Sequence, residues 1–190
     1  ESATYLRAFV VALLNTVLVT ALSIVFGTLI GFFVALSRGS SNQLVAAAGT
    51  LYVETFRNIP LLIQLLFWYF AVMQALPPPR MSFNIADVIF LNSRGLFIPW
   101  IDGSGLTVPA LQGFNFHGGL TILPELLALT LGLSIYSGAF IGEIIRAGLH
   151  ATSRGQIDAA YSLGLTRWQA IRFIVVPLAL RIIVPPLGAY

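Results

Sequence analysis

The sequence contains no cysteine and no lysine, and only 9% of its 190 residues are charged. Each shortage excludes something. Without cysteine there is no disulfide framework, no thiol chemistry and no Cys-based metal site. His117, one of two histidines, has no neighbouring ligand pattern, so no metal site is expected. Neither a glycine-rich phosphate loop nor a nucleophile–base pair occurs, so the chain itself is not expected to hydrolyse a nucleotide. All ten basic residues are arginine, and the net charge of +3 is too scattered for a nucleic-acid surface. A soluble domain carries about a quarter charged residues. With 57% hydrophobic residues and a mean hydropathy of +0.89, this chain cannot cover a water-facing surface.

Long uncharged runs are present instead. About 30 residues separate Arg7 from Arg38 without a charge, more than the roughly 20 that cross a bilayer as a helix. Gly27 and Gly31 form a small-residue pair within this run, a spacing that lets two helix backbones approach closely. The turn cluster from Ser37 to Asn42 ends it. A second span starts near Gln43 and runs to Leu76, with Pro60 expected to kink it. A third runs from Leu126 to Ile145 after Pro124, and a partial fourth starts at Pro177. Residues 77–119, rich in proline and glycine, read as an irregular loop with room for a β-hairpin. Its aromatics Phe97, Trp100, Phe114 and Phe116 suit a membrane-interface belt. The chain begins at Glu1 and ends at Tyr190 inside an apolar stretch, so 1–190 reads as a single membrane domain truncated at both ends.

Arginine placement sets an orientation. Arg38, Arg57, Arg146, Arg154, Arg167 and Arg172 fall on one side, and Arg7, Arg80 and Arg94 on the other. The positive-inside rule makes the first side cytoplasmic, which puts loop 77–119 outside and segment 152–177 inside.

Segment 152–177 carries the strongest local signals. Ser153 with Gln156, and Thr166 with Gln169, are capping boxes. Gly164 between them suits a left-handed helix end. The pattern predicts two short helices around a tight corner. Ile157, Ala160 and Tyr161 share one face of the first helix, with Ala159 and Ala160 keeping one side thin, a shape that fits a groove on a partner protein. The competing readings are a loop folded back on its own bundle and a DNA-binding helix-turn-helix. Attachment to spans on both sides, with no other basic surface, disfavours the latter.

The same residues carry a resemblance. Asp158-Ala159-Ala160, Gly164, Ile174 and Pro177 resemble the E-A-A-x(3)-G-x(9)-I-x-x-P motif of permease subunits of bacterial binding-protein-dependent ABC importers, with Asp158 in the glutamate position. The string from Tyr52 to Gln64 is similar to the Y-V-E-x-F-R-x-x-P-L-L-x-Q signature of the polar amino-acid branch. Ala139 to Arg146 resembles that branch's A-Y-x-x-E-I-x-R string, with Phe140 in the tyrosine position. The long loop starting Pro77-Pro78-Pro79-Arg80 looks most like general L-amino-acid permeases.

The resemblance implies an all-α polytopic transmembrane bundle of the type I ABC importer permease kind, in the bacterial inner membrane. Its coupling helix, with Ile157, Asp158, Ala159, Ala160, Tyr161 and Gly164, would dock in a cytoplasmic ATPase. Other implied partners are a second permease, identical or homologous, an extracytoplasmic solute-binding protein and an amino-acid substrate. No cofactor is implied in this chain; ATP and Mg would sit on the ATPase. Asn15, Gln64, Ser134 and Ser137 are candidates for the substrate path, with ordinary interhelical hydrogen bonding as the competing role of Asn15 and Gln64. Glu54, Arg57, Glu143 and Arg146 suit an ion-pair network, with substrate contact as the alternative. The rival class, a secondary transporter or channel without an ATPase, explains the spans but not the doubly capped corner.

Overall fold

The computed structural model describes residues 2–103 and 105–188; the end residues Glu1 and Tyr190 of the expected domain lie outside them. Helix α1 (Ser2–Arg38) is followed by α2 (Gln43–Asn58), and α3 (Leu61–Leu66) runs directly into a π-helical turn at Phe67–Met73. Eight short strands come next: β1 (Phe83–Ile85), β2 (Ile89–Asn92), β3 (Gly95–Ile98), β4 (Trp100–Asp102), β5 (Gly105–Thr107), β6 (Ala110–Gln112), β7 (Asn115–His117) and β8 (Leu120–Ile122). The chain then returns to helix in α4 (Pro124–His150), α5 (Arg154–Ser162) and α6 (Arg167–Ala170). A second π turn at Ile171–Val175 leads into α7 (Val176–Leu187).

Three helical runs among the described residues are long and apolar enough to cross a bilayer: Thr4–Arg38, Pro124–His150 and Arg167–Leu187. The chain is thus a multi-pass membrane protein. The expected second span is not a kinked helix. It breaks outright at Ile59 and Pro60, both extended, with ψ of 125° and 137°. Proline disfavours the helical region for the residue before it, and α2 stops there. The last span starts at Arg167 rather than at Pro177. Pro177 lacks an N–H, and the π turn before it shifts the register: the Val176 amide donates to the Ile171 carbonyl, five residues back.

The chain divides into two compact units, Glu1–Ser23 with Pro60–Leu133 and Ile24–Ile59 with Ser134–Tyr190. The first contains the main departure from the expected all-α class. Strands β1, β2, β3 and β8 form an antiparallel sheet in that order, with β4–β5 and β6–β7 as two separate hairpins. Phe116 lies 4.5 Å from Phe90 and 5.1 Å from Phe97 between ring centroids, and Phe97 is only 1% exposed. Two of the expected belt aromatics, Phe97 and Phe116, are therefore the core of this layer, while Trp100 and Phe114 are exposed. The Arg80 guanidinium covers the Phe114 ring at 4.6 Å. Gly95 has φ of 128°, and a Cβ there would run into the Ile122 carbonyl, so glycine is what permits β3 to approach β8.

In the second unit α1 and α4 pack in parallel through small residues. A Cβ on Gly27 would touch the Ser134 carbonyl and Ser137 Cβ at 3.3 Å, and one on Gly31 would meet Ile141 Cγ2 at 2.7 Å. Ala35, Ile141 and Ile145 form a core covered by Ile183 and Leu187 of α7.

Candidate functional site

The corner between α5 and α6 is built by local hydrogen bonds. The Gln156 amide donates to Ser153 Oγ at 3.3 Å, and the Ser153 amide donates back to Gln156 Oε1 at 3.1 Å. Thr166 and Gln169 repeat the exchange at 3.3 Å and 2.8 Å. Each box satisfies helix donors that have no intrahelical partner. At the far end of α5, Gly164 takes φ of 80°. Its amide donates to the Tyr161 carbonyl at 2.9 Å and the Leu165 amide to the Ala160 carbonyl at 3.1 Å, a complete Schellman pair. Both helices are thus closed at the corner without help from distant residues.

What this frame presents differs from the face expected. Ala160 is 1% exposed and packs inward, and Ile157 is half-buried. Asp158, Ala159 and Tyr161 face out, as does Gly164. Two residues that sequence reasoning missed complete the surface: Leu163 is 81% and Trp168 68% exposed. Their signal was available, since a large apolar residue beside a capped corner has no core to enter.

The expected four-residue ion-pair network is only half present. Glu143 pairs with Arg146, with Oε1 2.6 Å from Nη2, and its other oxygen takes Arg38 at the end of α1. Arg38 replaces Glu54 and Arg57, because the parallel packing of α1 on α4 brings it beside Glu143. Glu54 and Arg57 are exposed, and Arg57 lies over the Phe140 ring at 5.2 Å. The Tyr52 hydroxyl donates to the Ile135 carbonyl at 2.5 Å, and its ring sits 4.9 Å from that of Phe56. The strings around Tyr52 and Phe140, far apart in sequence, therefore pack together along α2 and α4.

The four path candidates do not share a compact unit. Asn15 is exposed and, with Thr121 and Glu125, lines a cleft of about 250 Å³ whose other walls are apolar. Gln64 is buried. Ser134 and Ser137 lie against Gly27, so helix packing occupies them. Glu125, absent from the sequence-based candidates, accepts from the Tyr69 hydroxyl at 3.2 Å. His117 is exposed, and among the described residues no cluster of side chains suits a metal ion.

Comparison with known proteins supplies the context. The family model described as binding-protein-dependent transport system inner membrane component matches residues 27–190. The putative amino-acid ABC transporter permease protein YhdX of Escherichia coli (strain K12) is 42% identical, over 97% of this chain and 62% of its own length. The general L-amino acid transport system permease protein AapQ of Rhizobium johnstonii is 36% identical, over 98% of this chain and 62% of its own. The chain thus spans less than two thirds of the length of these relatives. A crystal structure of an amino acid ABC transporter with histidines superposes with a TM-score of 0.65 and 29% identity, covering 98% of this chain and 67% of that one.

Proposed function

The chain belongs to the binding-protein-dependent transport system inner membrane component family, and from that premise we propose that it is the permease subunit of an ATP-driven importer of L-amino acids. A cytoplasmic ATPase hydrolyses the ATP, a second permease completes the path, and an extracytoplasmic solute-binding protein delivers the amino acid. The site is the bacterial inner membrane, with loop 77–119 outside and segment 152–177 inside. Amino-acid permeases among the relatives support the substrate class.

The observation that carries this reading is α5 itself. It hangs between two spans, is stiffened at both ends by its caps, and holds Leu163 and Tyr161 in solvent. A rigid, exposed element of this kind transmits rigid-body motion from a partner to the helices on either side. Asp158, Ala159, Tyr161 and Leu163 form the docking surface. Ile157, Ala160 and Gly164 hold its shape.

The test uses the full-length protein assembled with its partners in proteoliposomes. Ala159→Glu and Leu163→Glu alter exposed side chains only. Both are expected to lose ATPase copurification and to cut ATP-driven uptake of a panel of labelled L-amino acids at least tenfold. Parental docking and uptake in both variants would remove α5 as the coupling element. Uptake that persists without the ATPase would favour a secondary transporter.

A further inference from the structure

Arg181 is the one charge in the last 18 residues of the sequence, 173–190. It lies within the apolar run Arg167–Leu187, 14 residues from its start, about 21 Å along a helix and so inside a hydrocarbon layer roughly 30 Å thick. An arginine inside that layer needs a polar partner, water or an outward reach to the interface.

The geometry of α7 decides which side faces that partner. Ala179 is buried and Ile183 and Leu187 are half-buried, all on the stripe that packs against α4; a Cβ on Gly148 would meet Ile183 Cδ1 at 2.7 Å and the Ala179 carbonyl at 3.1 Å. Arg181 lies two residues from both Ala179 and Ile183, which on a helix is the opposite side. It is exposed there between Phe173, Pro177, Leu180 and Val184, which are exposed as well. Glu143, the acid of this unit that meets arginine, is already shared by Arg38 and Arg146. Among the described residues Arg181 makes no ion pair.

We infer that the outer face of α7 lines the solute path and that Arg181 is a binding residue for the solute's carboxylate. The inference rests on the amino-acid importer reading above. The chemistry fits because every free α-amino acid carries a carboxylate, and the planar guanidinium grips one with two parallel hydrogen bonds. Lysine at this position would supply a point charge without that fork. The surrounding apolar side chains strengthen the contact by excluding competing water. Such a residue raises selectivity for solutes that keep a free carboxylate over amides and amines of the same shape.

The absence of cysteine from residues 1–190 makes a direct test practical. Arg181→Cys is placed in the full-length protein, with any cysteine outside this segment changed to serine, and assembled with its partners in proteoliposomes. It is treated with the membrane-impermeant reagent methanethiosulfonate ethylsulfonate, with Ala179→Cys as the packed control. The expected result is labelling of R181C at least tenfold faster than A179C. Val184→Cys, on the same exposed face with Arg181 in place, is expected to label as readily and to be slowed by the best-transported member of the L-amino-acid panel, but not by its amide. Arg181→Lys is expected to raise the KM for uptake with little change in kcat, and Arg181→Leu to abolish discrimination against the amide. An unreactive R181C thiol would overturn the inference, since lipid or protein would then cover that face. So would V184C labelling indifferent to the amino acid, or loss of the second permease from the R181L complex, which would make Arg181 a subunit contact. If ATP dependence fails but amino-acid-protected labelling persists, the path assignment stands and the ATPase reading falls.

Discussion

The corner at 152–170 and the β layer at 83–122 each link long apolar helices, and they are held together in opposite ways. The corner is fixed by backbone and cap hydrogen bonds between residues at most five apart, and it leaves Leu163 and Trp168 in solvent. The β layer is fixed by contacts between residues distant in sequence, with Phe90 and Phe97 each against the Phe116 ring and Leu96 opposite Ile122 in the β3–β8 ladder. A structure closed by its own backbone is free to spend its side chains on a partner. A structure closed by side-chain burial is not. The two regions should therefore respond oppositely to substitution, one losing function without structure and the other losing structure first.

Phe97→Ala gives the largest expected effect. It removes a ring with 1% exposure and should cost about 3–5 kcal/mol of local stability. Amide hydrogen exchange over 89–98 should lose its protection while exchange over 154–170 stays unchanged. Equal loss in both regions would mean that the corner depends on the β layer, and the contrast would fail.

Gly164→Val is next. No atom stands within 4 Å of a Cβ at this position, so the cost is that of a left-handed conformation alone, about 1–2 kcal/mol. Thermal unfolding in detergent should register it as a small loss. Gly164→Asn, which tolerates this conformation better, should recover part of it. No recovery would show that the corner needs something other than its backbone geometry.

This contrast also explains what was legible in the sequence. Ser153, Gln156, Gly164, Thr166 and Gln169 act on neighbours three to five residues away, so their pattern is visible in one short window. Phe97 meets Phe116 and β8 only after the chain has turned back repeatedly, and its exposure could not be read from its spacing. The same holds for Arg38, whose partner Glu143 lies 105 residues on. Hydropathy placed the spans because bilayer thickness sets helix length whatever the helix packs against. It could not show that the Pro60 break divides one expected span into two helices, or that Ala160 packs inward.

Ser153→Ala should cost about 1 kcal/mol, the loss of one cap. Because Thr166 has its own box, α6 should keep its protection while the first turn of α5 frays. Hydrogen exchange resolved to single amides would show Gln156 and Ile157 exchanging faster and Gln169 unchanged. Simultaneous fraying of both helices would make the corner one cooperative unit rather than two independently capped helices.

Trp168→Ser should have the smallest effect on stability and the most informative one on function. The side chain is 68% exposed, and substitutions on such surfaces usually shift stability by less than about 0.5 kcal/mol. Yet a large apolar ring is held in solvent beside a capped corner, and large aromatics dominate binding energy where they find a pocket. If the corner spends its side chains on a partner, the variant should unfold at the parental temperature while ATPase copurification falls several-fold. A lowered unfolding temperature with intact copurification would reverse the assignment: Trp168 would be buried by the full-length chain, and the corner would then resemble the β layer it is contrasted with.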